Sequence, residues 1–374
     1  MNDQMALQLI AKVMGWPEED DGTATREYAW LRFMASAKYD GYADFRAGSR
    51  FIESFATWLK QFNPADRPAA YDFVRHRLVY VSPRELQCLI EAFVPEVVTP
   101  YLRNVVAAEL NCAPYEIWST AKGNARFNAR LRRTLFVGMS DGSRIDVLRR
   151  ANPKRVSQEQ VLPMLNVDDE KWEDLNKTLQ EEQPGEKFDS VYLIDDFTAS
   201  GTTFIRQKDG VWKGKLAKFN DLVNKARQRL TDRFPISEGY ALHIHHYISS
   251  QKAHETLMKR LRAAESMVSR TFGDWRVTCG TRLPADLELH RPQDTGILDL
   301  CERYYDHDLF VRLEKHCREA GQTDMKLGYA NCALPIVMDH NTPNNSIPLL
   351  WAETEGKNDA HRVRPLFHRR DRHG

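Results

Sequence analysis

Two adjacent carboxylates followed by hydroxyl-bearing residues form the stretch of this sequence best suited to chemistry. Asp195 and Asp196 can accept hydrogen bonds from the vicinal hydroxyls of a ribose and can help to hold a divalent cation. The residues after them can surround a phosphate with backbone N–H groups and hydroxyls, because Gly201 permits a close approach. These candidate phosphate-binding residues are Thr198, Ala199, Ser200, Gly201, Thr202 and Thr203. The alternative is an ordinary strand that ends in a polar turn.

The elements that must position these groups are predicted to be parallel strands. Residues 191–194 are apolar without alternation, which is typical of a strand covered on both faces. From about Thr134 onward, short apolar runs alternate with helical patterns, as in βαβ units. The predicted fold is therefore α/β, with a mostly parallel, Rossmann-like sheet flanked by helices. Besides the strand at 191–194, strands are predicted at residues 135–139, 240–247, 276–280 and 333–338.

The loop after the first predicted strand is a second candidate anion site. It consists of Ser140, Asp141, Gly142, Ser143 and Arg144. Ser143 and Asp146 have capping-box spacing, which predicts a helix that begins directly after the loop. Such a helix would direct its N-terminal N–H groups toward an anion. A plain Asp-Gly turn before a well-capped helix is the alternative.

The order of four apolar residues, two acids and a Thr/Ser/Gly-rich loop resembles the phosphoribosyl-pyrophosphate motif of type I phosphoribosyltransferases. The resemblance implies that Asp195 and Asp196 contact the ribose hydroxyls and that residues 198–203 bind the 5′-phosphate. It also implies that residues 140–144 contact pyrophosphate, with Mg²⁺ as the accompanying cofactor. The candidate catalytic residues are Asp195, Asp196 and Asp141.

An asparagine-rich segment near the C-terminus is a further candidate. His340, Asn341, Asn344 and Asn345 follow an apolar strand, and their side chains can pair with a base or a ribose. Because Asn and Pro also form tight turns, a purely structural role is the alternative. His340 is also a candidate general base, as is Asp141.

A helical N-terminal region, the Asp-Asp loop and the Asn-Thr-Pro-Asn-Asn segment before Leu-Leu-Trp together are similar to a phosphoribosyltransferase-like group of prokaryotic conflict systems. Members of that group are associated with antiviral loci, some of which encode reverse transcriptases. The resemblance therefore implies an effector or toxin of antiviral defence, with a retron association and a reverse transcriptase complex as its implied partner.

Residues 204–216 depart from ordinary phosphoribosyltransferases. In those enzymes the phosphate loop leads straight into a helix, whereas here the Asp209-Gly210 pair predicts a hairpin. A helix dipole behind the phosphate is then expected to be missing. The hairpin is a candidate lid or docking surface, and the compensating positive charge would come from Arg206, Lys208, Lys213 or Lys215.

The predicted domains are a helical N-terminal region at residues 1–118 and the phosphoribosyltransferase-like domain at residues 119–374. Residues 51–62 have a 3.6-residue apolar period, and Ser82-Pro83-Arg84-Glu85 is a capping box. Residues 151–190 are polar and acidic, so this stretch is predicted to be a mobile excursion within the second domain.

Composition narrows the class of protein. The 374 residues include 53 basic and 52 acidic ones, so global charge favours neither nucleic acid nor membrane as a partner. The six cysteines are scattered without CxxC spacing, and the start lacks a signal-peptide pattern, which together predict a cytoplasmic protein. Residues 361–372 are basic, so a nucleic-acid contact by this tail is an alternative to a solvated tail.

Two functional hypotheses follow. The first is a transferase or hydrolase that acts at C1 of a phosphorylated ribose, in a nucleotide or in phosphoribosyl pyrophosphate, with a base, water or a macromolecule as acceptor. If water is the acceptor, the protein degrades nucleotides. The second is a catalytically inactive subunit that senses a nucleotide or docks within a defence complex.

Overall fold

The computed structural model describes residues 2–17, 22–46, 50–267, 270–357 and 361–369. The chain forms two compact units, one of Met1–Glu85 with Ala285–Gly374 and one of Leu86–Pro284. The predicted domain boundary between residues 118 and 119 thus falls inside the second unit. None of the helices in the described ranges is long and apolar enough to cross a membrane.

The described residues form both α-helices and β-strands. The α-helices are α1 (Asp3–Met14), α2 (Thr23–Ala37), α3 (Phe51–Lys60), α4 (Arg67–His76), α5 (Pro83–Phe93), α6 (Thr99–Leu110), α7 (Ala121–Arg132), α8 (Ile145–Ala151), α9 (Asp169–Glu182), α10 (Lys215–Leu230), α11 (Gln251–Ala264), α12 (Thr295–Arg303), α13 (Asp308–Glu319) and α14 (Pro348–Trp351). The strands are β1 (Val79–Val81), β2 (Thr134–Gly138), β3 (Val161–Leu162), β4 (Phe188–Thr198), β5 (Arg206–Lys208), β6 (Val211–Lys213), β7 (Ile236–Ser250), β8 (Phe272–Leu283) and β9 (Ile336–Met338).

The second unit contains a parallel sheet whose strand order is β3-β2-β4-β7-β8 in the described part of the chain. This confirms the predicted α/β class with a mostly parallel sheet and flanking helices. The chain runs from β2 to β3 on one side, and from β4 to β7 and β8 on the other. The topological switch point therefore lies between β2 and β4, and ligands of open α/β sheets bind outside the carboxyl ends of strands at such a point.

The continuous apolar run of β4 is explained by helices on both sheet faces. Val191 and Leu193 pack into a cluster with residues of α9, α10 and α11. Tyr192, on the opposite face, contacts Phe93 of α5 and Phe136 of β2 at ring-centroid distances of 5.4 and 5.7 Å. Because both faces are buried, no position along this run can be polar without losing a packing contact.

Residues 151–190 contain regular secondary structure that belongs to the sheet and to the helices flanking it, and their mobility stays a prediction. They contain edge strand β3 and all of helix α9, in which Trp172, Leu175 and Leu179 are completely buried. These three residues form a narrow apolar stripe at helical spacing within a charged sequence. The acidic residues between them lie on the outer face of the helix, which explains the misleading composition.

The first unit has its own core, built from α1 to α4, α12 and the C-terminal segment. The capping box is confirmed, since Ser82 N donates to Glu85 Oε2 at 2.8 Å and Glu85 N donates to Ser82 Oγ at 3.3 Å. The strand predicted at residues 333–338 is confirmed as β9. It pairs in parallel with β1 in a small separate sheet and does not extend the large one.

The C-terminal tail is only partly described. Leu366 and Phe367 are buried, and the N–H groups of both donate to the carbonyl oxygen of Leu350. Of the basic residues in the segment 361–372, those at positions 370 and 372 lie outside the described residues, and the contact of this tail with nucleic acid stays a prediction.

Candidate functional site

The loops after β2 and β4 meet at the switch point of the sheet. Ser140 Oγ, two residues beyond the end of β2, donates to Asp195 Oδ1 at 2.5 Å. It also lies 3.5 Å from Asp196 Oδ1. The structure therefore brings together the two acids and the first residue of the candidate pyrophosphate loop. Both segments contribute to the crevice in which a ligand is expected.

Asp195 is a buried carboxylate of this crevice. Its exposed fraction is 4%, and Lys215 Nζ at the start of α10 forms an ion pair with Oδ2. Burial raises the pKa of the Asp195 carboxyl and neighbouring Asp196 adds to the shift, although Lys215 and Ser140 oppose it. Ser140 bonds to one carboxylate oxygen of Asp195 and Lys215 bonds to the other, so Asp195 organises the crevice. Asp196, in contrast, is half-buried.

The candidate phosphate loop is ordered by its own hydroxyls. Ser200 Oγ and Thr202 Oγ1 are 2.8 Å apart, and Ser200 Oγ also accepts from Thr202 N at 3.3 Å. Gly201 has a φ of +67°, and a Cβ there would lie 2.8 Å from the carbonyl oxygen of Ala253. The loop therefore requires glycine at this position, both for its backbone conformation and for its contact with α11.

The hairpin that follows the candidate phosphate loop brings the chain back to the end of that loop. Its strands β5 and β6 pair antiparallel around Asp209 and Gly210, whose φ values are +53° and +76°, which confirms the predicted hairpin. Lys215 N then donates to Thr203 O at 3.3 Å, and Leu216 N donates to Phe204 O at 3.0 Å. Helix α10 thus begins beside the loop, but these two N–H groups are bonded to loop carbonyls.

Of the four cations proposed to compensate for a missing helix dipole, Lys215 is the one that forms an ion pair with Asp195. Arg260, which the sequence did not suggest, donates from Nη1 to Ile205 O at 2.8 Å. Ser250 Oγ likewise donates to Ala199 O at 2.6 Å. Both contacts are made to backbone carbonyls, so no residue type in the loop could have indicated these partners.

The structure of the loop after β2 contradicts the predicted capping box. Ser143 does not cap α8, because Ser143 Oγ donates to Ser140 O at 2.5 Å within the short 3-10 turn Asp141–Ser143. The N-cap residue of α8 is Arg144, which has a φ of +44° and makes no side-chain capping bond. The capping-box prediction was therefore wrong. Asp141, the candidate catalytic residue of this loop, is exposed.

The histidines of β7 are core residues beside the site. His243 stacks on Tyr192 at 4.2 Å and meets Tyr101 edge-on at 4.3 Å. His246 pairs in register with Asp195, and burial lowers its pKa to about 3, so it is neutral. No group of three or more His, Cys, Asp or Glu side chains within the described residues is arranged to hold a metal ion.

The asparagine-rich segment belongs to the first unit. Asn345 Nδ2 donates to Tyr329 O at 3.1 Å, and Asn344 O accepts from Tyr329 N at 2.7 Å. Asn341 N donates to Met338 O at 3.1 Å, and His340 Nδ1 lies 3.1 Å from Asp339 Oδ1. These contacts lie within the unit, and the contact of this segment with a base or ribose stays a prediction.

The donor set fits Mg²⁺ only as an ion that arrives with its ligand. Mg²⁺ requires oxygen ligands in near-octahedral geometry and keeps several waters. Asp195 is unsuited to direct coordination, since the ammonium group of Lys215 is bonded to one carboxylate oxygen and Ser140 to the other. Asp196 is the neighbouring carboxylate that can assist a pyrophosphate-bound ion.

A parallel sheet with this switch point, two acids at the end of β4 and a hydroxyl-rich loop together define a phosphoribosyltransferase-like domain. The PRTase-CE family model matches residues 55–369, and the chain belongs to this family. Neither the curated proteins nor the solved structures contain a match to this chain.

Proposed function

We propose that the protein is an enzyme that makes or breaks the bond at C1 of a phosphorylated ribose. The observation that supports this most strongly is the hydrogen bond from Ser140 to Asp195, because it joins the loop after β2 to the carboxyl end of β4, just before the candidate phosphate loop. One loop offers backbone N–H groups and hydroxyls for a 5′-phosphate. The other, residues 140–144, lies where a pyrophosphate or an equivalent leaving group would depart.

The arrangement suits a reaction that develops positive charge on the sugar. Cleavage at C1 passes through an oxocarbenium-like state, which fixed carboxylates near the ribose stabilise by electrostatics. In our proposal Asp196 accepts from the ribose hydroxyls, and Asp195 holds Lys215 toward the anionic end of the ligand. Mg²⁺, when bound to a departing pyrophosphate, would neutralise its charge. Asp141 is the proposed general base.

Water is the acceptor that we propose. Hydrolysis at C1 of a nucleotide releases the free base, so the protein would act as a nucleotide-degrading effector. The similarity to conflict-system proteins supports a role in bacterial antiviral defence, and a reverse transcriptase complex is the partner we propose in that setting. Both statements rest on the resemblance and not on any contact described above.

A nucleotide sensor without turnover is the second candidate. It is favoured by one specific observation, which is that both carboxylate oxygens of Asp195 accept hydrogen bonds from the protein itself. In a sensor, the ligand would displace these bonds and so change the position of α10. Calorimetry that finds nucleotide binding but no turnover, in the presence of the native partner, would favour this candidate.

The experiment that tests the enzymatic proposal uses mass spectrometry. The protein is incubated with Mg²⁺ and either a mixture of nucleotides or phosphoribosyl pyrophosphate, and free bases and consumed substrate are measured. The D195N/D196N variant should lose at least a hundredfold in rate, the order of effect expected when preorganised charge is removed. The matched control is D174N/D221N, which removes two exposed carboxylates of α9 and α10. Equal turnover by the wild type and D195N/D196N contradicts the proposal.

A further inference from the structure

The hairpin formed by β5 and β6 has two chemically different faces. Gln207 pairs with Trp212, and Trp212 is half-buried against the apolar cluster between the sheet and α9, α10 and α11. Side chains two residues apart in a strand share a face, and so do directly paired residues. The opposite face is therefore made of Arg206, Lys208, Val211 and Lys213.

This outer face is cationic and contains no carboxylate. Lys208 and Lys213 are exposed, and in the described parts of the chain neither forms an ion pair within 4.0 Å. What distinguishes this pair from other exposed lysines, such as Lys177 and Lys225, is that the two lie on one face of the hairpin. Val211, between the lysines, has an exposed fraction of 57%. The face therefore combines one exposed apolar side chain with two lysines whose charge no carboxylate within 4.0 Å neutralises in the described residues.

The cationic face continues directly from the candidate phosphate loop. Thr203 and Lys215, which border the hairpin in sequence, are joined by a backbone hydrogen bond of 3.3 Å. The hairpin strands extend about 10 Å from this base, at about 3.4 Å per residue. Lys208 and Lys213 are therefore positioned to contact negative charge that continues beyond a phosphate bound in the loop.

We propose that the hairpin face binds the phosphate backbone of a single-stranded nucleic acid, one nucleotide of which enters the site. This inference deepens the proposed function, on which it rests, by making a polynucleotide the substrate class. A strand of nucleotides has both features that the surface requires, which are a phosphoribosyl group for the loop and further phosphates for the lysines. An acidic protein would match the lysines but would provide no phosphate for the loop.

Fluorescence anisotropy with a 5′-phosphorylated, single-stranded oligonucleotide tests the inference at several salt concentrations. The K208E/K213E variant should bind at least tenfold more weakly than the wild type. Its dependence of log affinity on log salt should be shallower by about 1.4, since each phosphate contact on a single strand contributes about 0.7. The matched control is K177E/K225E, which makes the same charge change at exposed lysines of α9 and α10 and should bind like the wild type.

Three results would overturn the inference. They are no measurable binding by the wild type, equal binding by the hairpin and control variants, and tighter binding of poly-glutamate than of the oligonucleotide, which would indicate an acidic protein partner. Failure of the proposed function can be distinguished from failure of this inference. The proposed function is tested by turnover in D195N/D196N, whereas the inference is tested by oligonucleotide affinity in K208E/K213E. If the protein binds the oligonucleotide without turnover, the result supports the inference about the hairpin surface and contradicts the enzymatic proposal.

Discussion

Two polar segments of this protein follow a buried strand and look alike in sequence, yet they use their side chains differently. At the carboxyl end of β4, which begins the first of these segments, Asp195 is bonded to the side chains of Ser140 and Lys215. In the segment after β9, Thr342 Oγ1 donates to Phe367 O, and Ser346 Oγ donates to Ile336 O. The first set of bonds joins side chains to each other, whereas the second joins side chains to backbone carbonyls.

The difference separates a candidate site from a structural loop. A buried backbone carbonyl needs a partner, so the hydroxyls of Thr342 and Ser346 cannot leave theirs without a cost in stability. The ammonium group of Lys215 has three N–H donors, so it can contact a ligand oxygen while it keeps its bond to Asp195. We therefore expect substitutions after β4 to change ligand affinity, and substitutions after β9 to change stability.

The largest expected effect is that of Lys215→Met. Removing one partner of a buried ion pair costs about 3 kcal/mol of stability. Burial already raises the pKa of Asp195, and losing the ammonium group raises it further, so the native state binds a proton more strongly than the unfolded state. The stability of K215M should therefore fall as pH rises above the unfolded aspartate pKa, about 3.9. Chemical denaturation at pH 5 and pH 8 measures this.

The control for that experiment is the double variant K215M/D195N, which removes the carboxylate that K215M leaves without its partner. It should recover most of the lost stability and show little dependence on pH between 5 and 8. If the double variant is as unstable as K215M at pH 8, the pair is not the organising contact of the crevice.

The next effect concerns the phosphate loop itself. Gly201→Ala forces a left-handed conformation on alanine and places its Cβ 2.8 Å from Ala253 O, so the loop must move. Affinity for ribose 5-phosphate should fall at least tenfold in calorimetry. Gly210→Ala is the matched control, since its φ is +76° but no atom lies within 4 Å of the added Cβ. Equal losses of affinity in the two variants would show that the loop is not part of the binding site.

The smallest effect tests the segment after β9. Ser346→Ala removes a buried donor to Ile336 O at 2.6 Å, so the free energy of unfolding should fall by about 1 to 2 kcal/mol. Its ligand affinity should equal that of the wild type. Ser200→Ala should do the opposite, weakening ribose 5-phosphate binding with a smaller change in stability. A large loss of affinity in S346A would assign the asparagine-rich segment to the site after all.

Local patterns predicted much of the second unit. The apolar run at residues 191–194, the Asp209-Gly210 turn and the loop glycine at Gly201 each act over a few residues. The apolar run requires a strand buried on both faces, and the turn requires two positive φ values. Glycine is required at position 201 by a close backbone contact. The sequence alone could therefore indicate the crevice and the hairpin that follows it.

Contacts between distant parts of the chain could not be predicted in this way. The first unit joins residues 1–85 with residues 285–374, and strand β1 pairs with β9 more than 250 positions later. Periodicity describes which face of an element is buried but not which element covers it. In the same way, Ser143 has capping-box spacing but bonds instead to Ser140 O, because Arg144 takes a left-handed conformation.

The central claim, that the loops after β2 and β4 form a phosphoribosyl site, is tested most directly by a crystal structure with phosphoribosyl pyrophosphate and Mg²⁺. We predict that the 5′-phosphate lies within residues 198–203, with the ribose hydroxyls at Asp196 and the pyrophosphate against residues 140–144. Lys215 should contact the ligand. Binding of the ligand elsewhere, or an unchanged crevice in crystals soaked at saturating ligand, would contradict the claim.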